Sequence, residues 1–220
     1  WYRRQLRQAG ADIWYGTLGC RALVDDNRVK GVVVATDAGR GIVLAKVVID
    51  STGSANIAAA AGADCVYTTG EHIALQGTGL PHWDLGARYT NTDYTFIDDI
   101  DIIDTWRSFL VGRKKFQDRY DLAQLVDTRE RRQIMGDFFL SPIDAYLGRT
   151  FPDTVVKASS NFDTHGFTIP PMFMLKPPDR EVVPTYVPYR CLLPEGVDGL
   201  LVGAGRSIST DNPSLLRAMV

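Results

Sequence analysis

Two apolar segments that each end in small and polar residues constrain the fold more than any other feature of the sequence. They read VVIDSTG (47–53) and GLLVGAGRSIS (199–209). In the first segment, Val47, Val48 and Ile49 form a continuous apolar run, which is typical of a strand buried on both faces in a parallel sheet. Doubly wound sheets bind ligands at the carboxyl ends of their strands, so we expect a binding site where these two segments end.

Three glycines near those strand ends favour a dinucleotide as the ligand. Gly53, Gly203 and Gly205 lack a Cβ atom, which lets the backbone approach such a ligand closely. A helix that begins near Pro213 would direct its N-terminal dipole at an anionic group, such as a pyrophosphate. Strand-then-glycine patterns also occur where a chain simply turns, so the order of the elements is needed to distinguish the two cases.

That order indicates an α/β protein. A helix from Trp1 to Gln8 is closed by Gly10, and ADIWYGT is predicted to form a short strand. CRALVDD, RVKGVVVATD and IVLAKVVIDSTG follow, separated by the turn residues 25–27 and AGRG, which predicts an antiparallel meander that leads into the first buried strand. SANIAAAAGA then predicts a small-residue helix that ends at Gly62.

From residue 65 to 183 the composition shifts to alternating aromatic, Asp-rich and Pro-rich segments, which indicates an inserted second domain. A helix is predicted near 98–117, with Ile100, Ile103 and Leu110 on one face. A shorter helix is predicted to start at Ser141 as N-cap, with Asp144 at the third helical position. The last section predicts an extended strand, a turn at PEGVDG and the buried strand LLVGAG.

Charge and cysteine spacing exclude several classes of function. The net charge is −2 and basic residues are interspersed with acidic ones, which argues against a nucleic-acid or anionic-membrane surface. The three cysteines, Cys20, Cys65 and Cys191, form no CxxC, so redox dithiols, zinc sites and iron–sulfur clusters are unsupported and no metal is expected. No apolar run reaches the roughly 18 residues of a membrane span, and we expect a cytoplasmic protein.

Four stretches together resemble a known family. VVIDSTGSANIAAAAGA is similar to an IDATG-helix-AGA segment, and DTRERRQIMGDFFLSPIDAYLGRTFPD to a RESRRIxG strand with the helix and FPD that follow it. NFDTHGF is similar to an IDIH element, and VPYRCLLPEGVDGLLVGAGRSIS to a closing PYRCLLP and NLLVAGRxIS strand. These are features of the FAD-dependent oxidoreductases of the glutathione-reductase-like fold, in the branch related to heterodisulfide reductase.

The resemblance implies a fold and a cofactor. The fold is α/β, with a partial FAD/NAD(P)-binding Rossmann-like sheet, an antiparallel β-meander and an inserted α+β substrate domain. The FAD-binding domain would comprise residues 1–64 and 184–220, and the substrate domain 65–183. The residues that the resemblance places beside FAD are Ala22 at the adenine, Thr52 and Gly53 at the flavin nucleotide, and Gly205, Arg206 and Ser209 near the pyrophosphate and ribityl chain.

The resemblance also implies a substrate side, formed by Arg129, Arg132, His165 and Arg190. His165 would move a proton during hydride transfer, and the alternative is a structural histidine in the turn before Gly166. Arg190 would clamp a substrate carboxylate or stabilise an anionic flavin, and the alternative is a surface ion pair. For residues 129–132, four charges in a row are also typical of a solvated strand edge, where at most one or two side chains face inward.

The sequence departs from the family pattern in three places. RESRRI has become RERRQI, with Arg131 in place of a serine and Gln133 in place of an arginine, which leaves open which arginine contacts substrate. After GRSIS, the residues TDNPSLLRAM lack the histidine of the usual THE-type stretch. No GxGxxG follows a strand, so we expect this fingerprint upstream of Trp1. Because the chain opens on Trp1 within a helical stretch and stops at Val220 within another, we interpret it as a fragment truncated at both ends that by itself binds FAD poorly and is inactive.

Two functional hypotheses follow. The favoured one is an FAD-dependent oxidoreductase that transfers hydride between flavin and a small organic substrate, with an electron partner that the sequence does not identify. The alternative is a non-redox ligand-binding or scaffold protein that retains the flavoprotein fold. A GxGxxG upstream, with an acidic residue about 20 positions later, would favour the enzyme.

Overall fold

The computed structural model describes residues 1–68, 101–115, 131–159 and 184–210. The four helices of this part are α1 (Tyr2–Gln8), α2 (Asn56–Ala60), α3 (Ile102–Lys115) and α4 (Pro142–Leu147). Its nine strands are β1 (Leu18–Asp25), β2 (Arg28–Thr36), β3 (Gly39–Leu44), β4 (Val48–Asp50), β5 (Cys65–Thr68), β6 (Arg131–Ile134), β7 (Thr154–Ala158), β8 (Thr185–Pro188) and β9 (Leu200–Val202). A 3₁₀ helix, Tyr189–Leu192, follows β8.

Strands β1, β2 and β3 form the predicted antiparallel meander, in the order β1-β2-β3. The turn between β1 and β2 contains Asp26 and Asn27, which both have positive φ, at 48° and 58°. This is the backbone that a two-residue hairpin with the right-handed twist requires, and Asp and Asn tolerate it better than most residues. The meander is therefore confirmed and its first turn has a local cause.

The prediction of a strand within residues 11–17 is wrong. These residues form no strand, and a turn at Tyr15 and Gly16 precedes the start of β1 at Leu18. Trp14 and Tyr15 are exposed, and no described strand pairs with this segment. Without a neighbour, the backbone N–H and C=O groups of this segment cannot enter a ladder, so its apolar residues do not make it a strand.

Strands β4 and β9 are the two strands predicted from VVIDSTG and GLLVGAG, and they pair in parallel as expected. The expected burial on both faces is wrong. Val48 and Asp50 are buried, whereas Ile49 between them is 64% exposed. Successive side chains of a strand point to opposite faces, and the described part of the chain covers only the face that carries Val48 and Asp50.

Two further antiparallel pairs join distant parts of the chain: β5 pairs with β6, and β7 pairs with β8. Strand β7 lies in the range predicted as the inserted domain, whereas β8 lies after it. The proposed boundaries at residues 64 and 183 remain predictions. Buried residues from both ranges form the hydrophobic core; among them are Val29, Ala58, Ile134, Phe151, Val187, Val202 and Ile208.

Helices α3 and α4 lie within the two ranges predicted to be helical. Ile103 and Leu110 of α3 are exposed, and Ile100 lies outside the described residues. At α4, the Asp144 N–H donates to Ser141 Oγ at 3.2 Å and the Ser141 N–H donates to Asp144 Oδ2 at 3.1 Å. This reciprocal pair is a capping box with Asp in the usual place of Glu, and it confirms the predicted start of the helix.

Within the described residues, no helix has the length and apolarity needed to cross a membrane.

Candidate cofactor site

The carboxyl ends of β4 and β9 lie side by side, which places the two polar loops that follow them at one edge. The Gly203 N–H donates to the Asp50 carbonyl oxygen at 2.9 Å. A Cβ atom at Gly203 would come within 2.9 Å of Ile49 Cγ2 and 3.0 Å of Ser51 Oγ. Only glycine allows this close approach without displacing its neighbours. We name residues 51–55 the first loop and residues 203–209 the second loop.

The first loop is organised by the buried carboxylate of Asp50. Its Oδ1 accepts the Thr52 N–H at 2.9 Å, and its Oδ2 accepts the N–H groups of Ile57 and Ala58 at 2.9 and 3.0 Å. The Asn56 N–H donates to Thr52 Oγ1 at 2.9 Å. Three N–H groups at the start of α2 are thus used within the chain. Within the loop, Ser51 and Thr52 are exposed, whereas Gly53 and Ser54 are half-buried.

Arg132, one of the predicted substrate-side residues, contacts the first loop. Its Nη2 donates to Asn56 Oδ1 at 2.7 Å and its Nε donates to the Ser54 carbonyl oxygen at 3.2 Å. Its backbone N–H donates to Ser54 Oγ at 3.3 Å. The structure therefore places this guanidinium against the loop that contains Thr52 and Gly53, the residues expected beside the flavin nucleotide.

The second loop is held by backbone groups from three distant segments. The Ile134 N–H donates to the Ser207 carbonyl oxygen, the Leu140 N–H donates to the Ser209 carbonyl oxygen, and the Ser209 N–H donates to the Cys191 carbonyl oxygen, each at 3.0 Å. Just beyond the loop, Gln133 Nε2 donates to the Thr210 carbonyl oxygen at 2.8 Å.

Two hydroxyl groups in the second loop are buried without a hydrogen-bond partner among the residues that the structure describes. They are Ser207 Oγ and Ser209 Oγ. A buried hydroxyl that makes no hydrogen bond is costly, and such groups in a native protein call for an explanation. Gly205 beside them is also buried, and Arg206 is half-buried.

Ala22, predicted to lie at the adenine, is buried in the middle of β1 at the wall of a cavity of about 500 Å³. The cavity lies between β1 and the end of α2; its lining is Arg21, Ala22, Leu23, Val24, Val33, Ala60, Ala61 and Gly62. The described part of the meander leaves one edge of β1 unpaired, because the sheet order is β1-β2-β3. A strand edge beside a cavity offers backbone hydrogen-bond groups to a planar ligand.

Arg190 lies elsewhere, in the 3₁₀ helix after β8. Its Nε and Nη2 donate to the two oxygens of Asp153 at 2.9 and 3.2 Å, and its guanidinium lies 4.9 Å from the centre of the Phe138 ring. The hydrogen bond from Arg190 holds the pKa of the Asp153 carboxyl below its usual value. This is the ion pair that was the alternative interpretation of Arg190.

His165 and Arg129, the other two substrate-side predictions, lie outside the described residues. Two residues that organise the loops were not among the predicted site residues. Asp50 could have been identified as a lone carboxylate at the end of an apolar strand, because a buried charge there needs donors. The side-chain contact of Gln133 with Thr210 joins residues 77 positions apart, and no local pattern in the sequence predicts it.

The cysteines contribute no reactive thiol within this site. Burial raises the pKa of Cys65, and burial raises the pKa of Cys191 to about 12, so both remain protonated at neutral pH. Cys20, the third, is exposed on β1. The thiolate is the nucleophilic form, so Cys65 and Cys191 are weak nucleophiles at neutral pH.

Two polar loops follow the adjacent carboxyl ends of a parallel strand pair, which is where doubly wound α/β proteins bind their ligands. The comparisons with known proteins specify the family. A model of the FAD dependent oxidoreductase family matches residues 2–80 and 105–215. The chain therefore belongs to the FAD dependent oxidoreductase family, and its cofactor is FAD. No curated protein and no solved structure gave a match to the chain.

The residues at the carboxyl ends of β4 and β9 fit FAD. Gly53 has a φ of +80°, and apart from its chain neighbours none of the described residues has an atom within 4 Å of where a Cβ would be, which leaves space for a ligand beside it. Ser207 and Ser209 carry buried hydroxyls that lack a partner among the described residues. Hydroxyl donors and accessible backbone are what phosphate oxygens and ribityl hydroxyls require.

Proposed function

We propose that this chain belongs to a flavoenzyme that transfers hydride between a small organic substrate and FAD. We further propose that its branch is the one related to heterodisulfide reductase, and that β4 and β9 are part of a Rossmann-like sheet interrupted by an α+β substrate domain. The family match supports the redox chemistry. The four sequence stretches that resemble the branch support the finer assignment.

One observation carries the proposal: the first and second loops lie at the same edge, joined by the hydrogen bond from Gly203 to Asp50. The strand ends that the sequence predicted as a ligand crevice are thus neighbours in space. A dinucleotide laid across this edge would contact both loops, as in other doubly wound sheets. The closeness of Gly203 to Ser51 supports a site in which backbone, rather than side chains, contacts the ligand.

The residues proposed to hold FAD are distributed along this edge. Thr52 and Gly53 belong to the first loop, and Gly205, Arg206 and Ser209 belong to the second. Ala22, at the cavity beside α2, is proposed to offer its backbone to the adenine. When bound, the flavin supplies the hydride chemistry, and the protein supplies position and charge.

On the substrate side, we propose that His165 moves a proton and that Arg129 and Arg190 bind an anionic group of the substrate. The sequence context supports these roles. For Arg190 to bind substrate, the anion would have to share or replace the carboxylate of Asp153, which now accepts both of its donors. An arginine that binds one carboxylate with two parallel hydrogen bonds has the geometry to bind another in its place.

The experiment that tests the proposal is the visible absorbance spectrum of the purified full-length protein before and after addition of FAD. We expect flavin bands that stay with the protein through gel filtration, and bleaching of these bands when a substrate or chemical reductant donates electrons. A colourless protein that does not retain added FAD would contradict the proposal and favour a non-redox relative of the family.

A further inference from the structure

The first loop contains one residue in a conformation that its side chain disfavours. Ala55 has φ 48° and ψ 40°, the left-handed region, and it is fully buried. A residue with a Cβ atom adopts this region at a cost that glycine does not have. The buried Cβ of Ala55 is part of the core cluster, so the surrounding structure must hold the loop in this shape.

Arg132 bonds to the chain on both sides of Ala55. Its Nε reaches the Ser54 carbonyl oxygen and its Nη2 reaches Asn56 Oδ1, so one planar guanidinium spans the left-handed residue. The backbone N–H of Arg132 adds a third contact, to Ser54 Oγ. Lysine could not make the same pair of bonds, because its ammonium group is a point charge without a fork of donors.

The strand that carries Arg132 also holds the second loop. Strand β6 is paired with β5, and two residues after Arg132 the Ile134 N–H donates to the Ser207 carbonyl oxygen. The side chain of Arg132 therefore reaches the first loop from a strand whose backbone is fixed to the second loop. The first and second loops are thus both connected to strand β6.

We propose that Arg132 is a positioning residue for FAD: it holds Gly53 and Ser54 in the conformation that the cofactor contacts, and it does not bind substrate. This replaces the substrate role that the family resemblance implied for it, and it rests on the proposed FAD site. A guanidinium has two edges that can bind a carboxylate with two hydrogen bonds, and the Nε–Nη2 edge of Arg132 is engaged by Ser54 and Asn56.

The test, in the full-length protein, compares Arg132→Gln and Arg132→Lys with wild type and uses Arg149→Gln as the matched control. Arg149 is also an arginine with a hydrogen-bonded side chain, but its partner is the carboxylate of Asp144, at the start of α4. The first measurement is the dissociation constant for FAD, from flavin fluorescence. We expect about tenfold weaker binding for Arg132→Gln, the size of one lost charge-assisted hydrogen bond, an intermediate value for Arg132→Lys, and no change for Arg149→Gln.

The second measurement is hydrogen exchange in the FAD-free protein. The Asn56 N–H, bonded to Thr52 Oγ1, should exchange faster in Arg132→Gln than in wild type, whereas amides of the meander should not change. This result does not depend on any activity of the enzyme. Asn56→Ala removes one of the two partners while keeping the arginine, and it provides the test if Arg132→Gln does not fold.

The double variant Asn56→Ala with Arg132→Gln should bind FAD no more weakly than Arg132→Gln alone, because both changes break the same contact. Unchanged FAD affinity in folded Arg132→Gln, or strictly additive losses in the double variant, would overturn the positioning role. Failure of the wild-type protein itself to bind FAD would instead contradict the proposed function, so the two failures are distinguishable.

Discussion

The first and second loops of the candidate cofactor site are held in place by different kinds of contact. The first loop is fixed mainly by the carboxylate of Asp50, whose hydrogen bonds reach residues no more than eight positions away. The second loop is fixed by the backbones of Ile134, Leu140 and Cys191, which lie 18 or more positions away in the chain. One side of the same site is thus organised mainly by local contacts, to which Arg132 adds tertiary ones, and the other side mainly by tertiary contacts.

This difference predicts how substitutions should affect each loop. A change at Asp50 leaves several buried N–H groups without an acceptor at once, because one carboxylate serves all of them. In the second loop each hydrogen bond comes from a different segment. A substitution there is expected to weaken the loop only if it keeps one of those segments from reaching the loop. Substitutions in and around each loop therefore separate the two cases.

The largest effect is expected for Asp50→Ala. Loss of the carboxylate leaves the N–H groups of Thr52, Ile57 and Ala58 without their acceptor, and we expect the free energy of unfolding to fall by about 3 kcal/mol. Urea unfolding measures it. The control is Asp64→Ala, because Asp64 is exposed. If the two variants lost equal stability, the local explanation of the first loop would be wrong.

A smaller loss is expected for Gly136→Ala, which tests the second loop. A Cβ there would lie 2.9 Å from the Leu193 carbonyl oxygen and 2.9 Å from Ser209 Cβ, and backbone cannot move aside as easily as a flexible side chain. We expect a loss of about 2 kcal/mol, within the range for overpacking, and weaker FAD binding because Ser209 is displaced. Thermal unfolding and FAD titration measure the two effects.

The matched control for this change is Gly41→Ala on β3, where the nearest atom to the new Cβ is Val34 Cγ2 at 3.8 Å. That contact is ordinary, so little loss is expected. A stable Gly136→Ala variant with normal FAD affinity would show that the second loop does not depend on close approach of the chain at residue 136.

The smallest effect is a pH dependence that arises at α4, whose N-cap follows Leu140. Although burial acts to raise it, the pKa of Asp144 is lowered, because hydrogen bonds from Arg149 and Ser141 outweigh burial. Its folded pKa lies below the unfolded value of 3.8, so its contribution to stability is fully present above that value and is lost as the pH falls through the folded pKa.

We therefore expect the free energy of unfolding of wild type to decrease as the pH is lowered below about 4, and this decrease to be smaller in Asp144→Asn. Denaturant unfolding at several pH values measures it. Identical pH profiles for the two proteins would show that the capping box at Ser141 contributes no proton-linked stability.

Much of the fold was predictable because its causes are local. The hairpin turn at Asp26 and Asn27, the capping box at Ser141 and Asp144, and the end of α2 before Gly62 each depend on residues within a few positions. The strand predicted in residues 11–17 was wrong because strand formation needs a neighbour, which apolar composition does not supply. The two-sided burial predicted for β4 was wrong for a related reason, since it depends on what packs against Ile49.

The sequence predicted where the candidate site lies, namely at the carboxyl ends of β4 and β9. Thr52, Gly53, Gly203 and Gly205 follow the two predicted strands, and the structure brings these strand ends together. The orientation of the arginines was not predictable from the charged run 129–132. Whether Arg132 faces solvent, substrate or the first loop depends on the pairing of β6 with β5 and on the position of Asn56.

The sequence by itself determined the order of elements, the meander turns and the small residues at the ends of β4 and β9. These depend on backbone preferences and on residue size, which act over a few positions. The tertiary structure alone decided that Arg132 spans Ala55 and that three separate segments hold the second loop. Such contacts join residues many positions apart, and they exist only when long-range pairing has fixed where each strand lies.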